Sequence, residues 1–282
     1  MPRTRSFRRA LVGFVALLAL AGIVSPAAAV PPATPKVLFV GDSLSQNIAE
    51  ALIAQGKVNT INGGTVNCTV GNGVLQGYKN QVLYSGCQNW QTDFAQAVAQ
   101  HDPDVVVMVT GGWEIVNRWL GPPQGPPLTI KDQEFADHYL AALDEAAQIL
   151  SAGGAKVVML TTPYMDPPHP YPEPGTGDIT EIWWEPYGPK EPPAEWVPPT
   201  PDTPFVSGHD KVDAANEVIR AFGSHGVATI LDLNKRICPG GKYREKVKGK
   251  SIRFKDNIHL SKVGQKFVAK WLAPKLIEVA SG

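Results

Sequence analysis

The chain has 282 residues, carries 26 Lys and Arg against 26 Asp and Glu, and is 43% hydrophobic. This is the composition of a globular protein, and a formal charge of +0 leaves no electrostatic footprint for nucleic acid as a partner. Three cysteines without a CxxC or a histidine cluster exclude the usual metal-binding patterns, so neither a metal nor another cofactor is expected.

At the N-terminus Arg3, Arg5, Arg8 and Arg9 precede an apolar run over 10–24 and then Ser25-Pro26-Ala27-Ala28-Ala29. These are the three regions of a secretory signal with a small-residue cleavage site. Residues 1–29 are therefore expected to be a signal peptide, with a mature domain over 30–282 that is secreted or held at the cell envelope. The apolar run is short for the roughly 20 residues of a membrane span, and no later segment qualifies. No transmembrane domain is expected once the signal is removed, an uncleaved anchor being the alternative. Without the four arginines the balance is 22 basic against 26 acidic residues. About 250 residues suit one α/β domain and bury a sizeable core.

Alternating short β-rich runs and helical patterns predict βαβ units around a parallel sheet. Strands are expected over 36–40, 65–70, 104–110, 155–162 and 227–233. Helices are expected over 45–55, 89–100, 130–152, 211–223 and 262–279. Several strands are continuously apolar, as strands covered on both faces should be. The first runs into Gly41-Asp42-Ser43-Leu44-Ser45, which puts Ser43 on a strand-to-helix turn, where ligands bind in open α/β sheets.

Gly71-Asn72-Gly73 reads as a tight turn whose glycines allow close backbone approach to a ligand. In an oxidising compartment the three cysteines allow one disulfide and one leftover thiol. Cys68 with Cys87 is the preferred pair, since it closes a modest loop beside the predicted active face, but three cysteines leave the pairing open. The segment 163–205 is rich in proline and holds Trp183, Trp184, Tyr187 and Trp196. Leaving the carboxyl end of a strand, it reads either as a wall over the cleft or as a packed polyproline-like loop. Lys242, Arg244, Lys246, Lys248, Lys250 and Arg253 alternate like an exposed hairpin. Finally, Asp256-Asn257-Ile258-His259 sits just ahead of the last helix. A spacing of three lets the carboxylate reach one imidazole nitrogen while the other faces a serine hydroxyl.

Gly41-Asp42-Ser43 near the start of the mature chain and Asp256-x-x-His259 near its end resemble the SGNH (GDSL) hydrolase family. The resemblance implies a three-layer α/β/α sandwich around a five-stranded parallel sheet, the flavodoxin-like SGNH fold. It implies Ser43 as nucleophile, His259 as general base and then acid, and Asp256 as the carboxylate orienting His259. It further implies an oxyanion hole from the Ser43 amide, from Gly71 or Gly73, and from the end of the third strand. There most of the family carries Gly-x-Asn-Asp, whereas this chain reads Gly111-Gly112-Trp113-Glu114. A backbone amide, the Trp113 indole or Asn117 is expected to complete the hole. Asp42, Glu114, Asn117, Arg118, Trp183 and Trp184 are the expected substrate contacts. Cys87-x-x-Trp90, Gly112-Trp113-Glu114, Thr161-Thr162-Pro163-Tyr164 and Cys238-Pro239-Gly240-Gly241 are similar to SGNH domains fused to integral-membrane acyltransferases that modify envelope glycans. The expected function is a secreted serine acyl-ester hydrolase, monomeric, acting on an acylated envelope glycan, glycolipid or lipid ester. O-acetyl transfer to a sugar hydroxyl and a non-catalytic glycan-binding module are the alternatives.

Overall fold

The computed structural model describes residues 34–76, 82–166 and 209–282. In chain order the elements are β1 (Lys36–Gly41), α1 (Ser43–Gln55), β2 (Asn59–Asn62), β3 (Val74–Gln76), β4 (Val82–Leu83), α2 (Trp90–His101), β5 (Val105–Val109), β6 (Arg118–Trp119), α3 (Gln133–Leu150), β7 (Lys156–Leu160), α4 (His209–Ser224), β8 (Thr229–Leu231), α5 (Leu233–Ile237), β9 (Lys246–Val247), β10 (Lys250–Ser251) and α6 (Lys262–Ser281).

Five of the strands form a parallel sheet in the order β2-β1-β5-β7-β8. Val37 to Val40 of β1 and the whole of β5 are buried, because helices cover both faces and leave no solvent side on which polar residues would alternate. α1 packs on α6, while α3 packs on α2 and on α4, which gives the three layers of an α/β/α sandwich. From β1 the chain crosses to β2 on one side and then returns past β1 to β5 on the other. The connectivity therefore reverses between β1 and β5, and the crevice beyond their carboxyl ends is the favoured place for a ligand.

The second sheet strand differs from expectation. It is Asn59–Asn62, whose Asn59 pairs with Lys36, and not 65–70. An edge strand covered on fewer sides needs no continuous apolar run, so Asn-Thr-Ile-Asn carries little strand signal, whereas the apolar Cys68 and Val70 are buried as loop residues. A small antiparallel sheet, β4-β3-β6, and the β9–β10 hairpin stand apart from the main sheet. The hairpin falls where the alternating basic residues indicated, but Arg253 at its exit is buried instead of exposed. Cys68 and Cys87 form a disulfide, and Cys238 is a buried free thiol. The predicted signal peptide and most of the Pro/Trp-rich segment lie outside the described residues.

Candidate active site

Gly41 ends β1 at φ 120°, a conformation L side chains rarely adopt, and a Cβ there would lie 1.9 Å from the Val109 carbonyl oxygen. That close approach lets the Asp42 N–H donate to the Val109 carbonyl at 3.0 Å, which locks the turn onto the end of β5. Asp42 then caps α1, its Oδ1 accepting from the N–H of Leu44 at 2.9 Å and of Ser45 at 3.4 Å. Ser43 is the first residue of α1, so the backbone geometry of strand, turn and cap presents its hydroxyl at the switch point.

Opposite stands His259, whose Nε2 lies 2.8 Å from Ser43 Oγ. Its Nδ1 lies 2.6 Å from Asp256 Oδ2. Asp256 Oδ1 accepts in turn from the backbone N–H of Ile258 and of His259, each at 2.9 Å, so one carboxylate both shapes the turn and meets the imidazole. Burial by itself would raise the Asp256 pKa. The hydrogen bond and charge of His259 with the two N–H donors outweigh burial and hold it below the ordinary value. The Asp-x-x-His turn is fastened from two sides by residues that sequence reasoning missed. Asn47, one helical turn beyond Ser43, accepts from the Leu260 N–H at 2.9 Å. Arg253 donates Nη1 to the Ile258 carbonyl at 3.0 Å and Nη2 to the Tyr164 carbonyl at 2.8 Å. The i, i+4 spacing of Ser43 and Asn47 was a readable signal for the first; nothing local marks the second.

Two loops are tied together by buried side chains, one of them against Asp42. Gly112 follows β5, and a Cβ added there would come within 3.1 Å of Asp42 Oδ2. Gly71-Asn72-Gly73 precedes β3, with Asn72 at φ 48° and Gly73 at φ 84°. Arg118 joins these loops. Its Nη1 donates to the Asn72 carbonyl at 2.8 Å and to Thr69 Oγ1 at 3.0 Å, and its Nη2 donates to the Trp113 carbonyl at 2.7 Å. Glu114 completes the framework: Oε1 accepts from Thr69 Oγ1 at 2.8 Å and from the Val70 N–H at 3.1 Å, while Oε2 accepts from the Gly111 N–H.

Glu114 and Arg118, expected to touch substrate, are both 0% exposed. A buried charge must be met by hydrogen bonds and opposite charge, and here those partners are loop backbone and each other's neighbours, so neither side chain is left to face a ligand. Burial pulls the Arg118 pKa down to about 10, opposed by the charge of Glu114. Asn117 is likewise turned to the small sheet, donating to Gln76 Oε1 and accepting from Lys211 Nζ. Trp113 is half-buried and its carbonyl is held by Arg118. Asp42 is buried, and its pKa is pushed up to about 7 by burial and then by the charge of Glu114, against the lowering effect of the Leu44 N–H, of His259 and of the Ser45 N–H. Trp183 and Trp184 lie outside the described residues. Among the described residues no His, Cys, Asp and Glu group is placed to hold a metal ion.

Solved structures with this fold include a putative acylhydrolase from Bacteroides fragilis, 14% identical with a TM-score of 0.51, covering 89% of this chain and 90% of that one. The periplasmic domain of a lipopolysaccharide acetyltransferase from Salmonella ser. Paratyphi A is 11% identical with a TM-score of 0.50, covering 86% and 84%. A GDSL-like lipase from Bacteroides thetaiotaomicron is 15% identical with a TM-score of 0.49, covering 86% and 89%. Among curated proteins none matches. The sequence model of the SGNH domain, described as fused to AT3 domains, matches residues 22–274. The chain belongs to the SGNH domain family.

Proposed function

We propose that this protein is a secreted serine esterase that removes acyl groups from an acylated cell-envelope glycan or glycolipid. The observation that carries the reading is the unbroken hydrogen-bonded line from Ser43 Oγ through His259 to Asp256 at the switch point of the sheet. In this mechanism His259 Nε2 takes the Ser43 proton as Oγ forms a bond to the ester carbonyl carbon. Asp256 accepts from Nδ1–H and stabilises the imidazolium. Collapse of the tetrahedral intermediate breaks the bond to the sugar oxygen, and His259 returns the proton to that leaving alcohol. Water, deprotonated by His259, then releases the acid from Ser43.

The oxyanion needs N–H donors. In this reading they are the Ser43 amide, Gly73 and the backbone at Gly112. A trans peptide points its N–H away from its C=O, so the pull of Arg118 on the Asn72 carbonyl aims the Gly73 N–H to the opposite side. Buried Arg118, in the field of Glu114, thereby supports with backbone what a family asparagine supplies with its side chain.

A short-chain ester such as p-nitrophenyl acetate and a serine-reactive phosphonate test the proposal. Wild type should turn over the ester and take up one phosphonate on Ser43, and Ser43→Ala should do neither; an active Ser43→Ala protein overturns it. Acyl transfer to a sugar hydroxyl is the second reading, favoured by the family's occurrence fused to AT3 domains. Product analysis with and without an acceptor glycan separates it from hydrolysis.

A further inference from the structure

Residues 235–275 hold thirteen of the chain's 26 basic residues and two of its 26 acidic ones, Glu245 and Asp256. Asp256 is buried in the site just described. Three of the arginines are also engaged: Arg253 on the loop carbonyls, and Arg236 and Arg244 over the ring of Phe267, at 3.9 Å and 5.7 Å from its centroid. Nine lysines between Lys235 and Lys270 remain exposed. Among the described ion pairs, only Lys246 has a carboxylate partner, the exposed Glu245 at 3.4 Å.

These lysines belong to one connected region. Phe267 of α6 brings α5 and the loop at Arg244 together. The hairpin is tied to the start of α6 by Ser261, which donates its N–H to the Ile252 carbonyl and its Oγ to the Ser251 carbonyl. Lys262, Lys266 and Lys270 follow at helical spacing on α6. Lys255 immediately precedes Asp256, and Lys262 stands three residues beyond His259, so the basic stretch brackets the catalytic turn. Soluble surfaces usually intersperse the two signs of charge, and an unneutralised field of one sign raises the local concentration of an oppositely charged ligand. Val263 is the one exposed large hydrophobic among the described residues of this stretch, so the face offers charge without apolar groups to insert into a bilayer.

We propose that this face docks an anionic polysaccharide, one bearing carboxylate or phosphate groups along its length, and delivers its acylated sugars to Ser43. The delivery step rests on the esterase reading; the docking step does not. The test measures binding of the full chain to polygalacturonate, to neutral dextran and to phosphatidylglycerol vesicles, alongside turnover of p-nitrophenyl acetate. Polygalacturonate should bind and dextran should not, and raising NaCl from about 50 to about 300 mM should weaken binding roughly tenfold or more. Lys246→Glu, Lys250→Glu and Lys266→Glu combined should weaken it by a similar factor and leave small-ester turnover unchanged. A second set, Lys248→Glu, Lys262→Glu and Lys270→Glu, guards against a folding defect, checked by circular dichroism. Absence of polygalacturonate binding, binding indifferent to salt and to both sets, or tighter binding to the vesicles overturns the proposal. A chain that binds the polymer but hydrolyses no ester supports docking and overturns the esterase reading.

Discussion

Arg118 is a full charge with no route to solvent; the Asn72 and Trp113 carbonyls, the Thr69 hydroxyl, the Phe135 ring face at 4.3 Å and the field of Glu114 hold its head, while Nε has no hydrogen-bond partner among the described residues. Glu114 is not in direct ion-pair contact with Arg118, but its charge compensates it, and removing one of two buried opposite charges leaves the other uncompensated, which typically costs about 3–5 kcal/mol. Arg118→Met is therefore expected to lower stability on that scale. It should also lower kcat on a short ester more than it raises KM, since the loops it holds face the transition state in the proposed mechanism. Combined with Glu114→Gln it should cost less than the two single changes together. A double-mutant cycle on urea midpoints and on kcat checks this, and strict additivity would show that the two side chains do not act as one unit. The tetrad Gly111-Gly112-Trp113-Glu114 was legible as a departure from the family pattern. What it departs to was not, because the sequence offers Glu114 and Arg118 as substrate contacts and only their burial makes them a clamp.

At the scale of elements, the loop between β2 and α2 is stapled by the Cys68–Cys87 disulfide, 19 residues apart. A loop of that size limits the unfolded chain by about 3 kcal/mol, and in a domain of this length each kcal/mol moves Tm by roughly 2–4 °C. The double variant Cys68→Ser with Cys87→Ser is expected to lose roughly 6–12 °C in a thermal melt. The same staple sits directly before Thr69, which bonds both Glu114 and Arg118, so ester turnover should fall in the double variant before global unfolding is seen. At the end of β1, Gly41→Ala places a methyl group against the Val109 carbonyl and should leave little folded protein by circular dichroism. The central strands were readable because burial on both faces forces an unbroken apolar run. β2 was not, because its position is specified by pairing with β1 and three of its four residues are polar.

For the whole molecule, pH sets two buried carboxyls against each other. Asp42 keeps its proton in the folded state up to about 7, whereas its ordinary value is 3.8. Between those values the folded protein binds the extra proton, so stability declines as pH rises through the window and is level above it. At about 1.4 kcal/mol per pKa unit the loss is on the order of 4 kcal/mol at most. Asp256 acts in the opposite sense: its depressed value supplies stability above 3.8 that is lost as pH falls through the folded pKa. Wild-type Tm should therefore fall between pH 5 and 8. Asp42→Asn, which keeps the cap acceptor for Leu44, should show a flatter curve, and equal slopes for the two proteins would exclude the carboxyl as the source. The amino-acid sequence by itself determined the α/β class with its parallel sheet, the strand-turn-helix that carries Ser43 and the Asp-x-x-His turn, since hydrophobic periodicity, glycine conformation and a three-residue spacing are local properties of the chain. Only the tertiary structure decided that Asp42, Glu114 and Arg118 are shut away from solvent, which partners hold the Asp-x-x-His turn, and that α6 is tied to the lysine-bearing hairpin. Burial and long-range contact depend on what the rest of the chain packs against each residue.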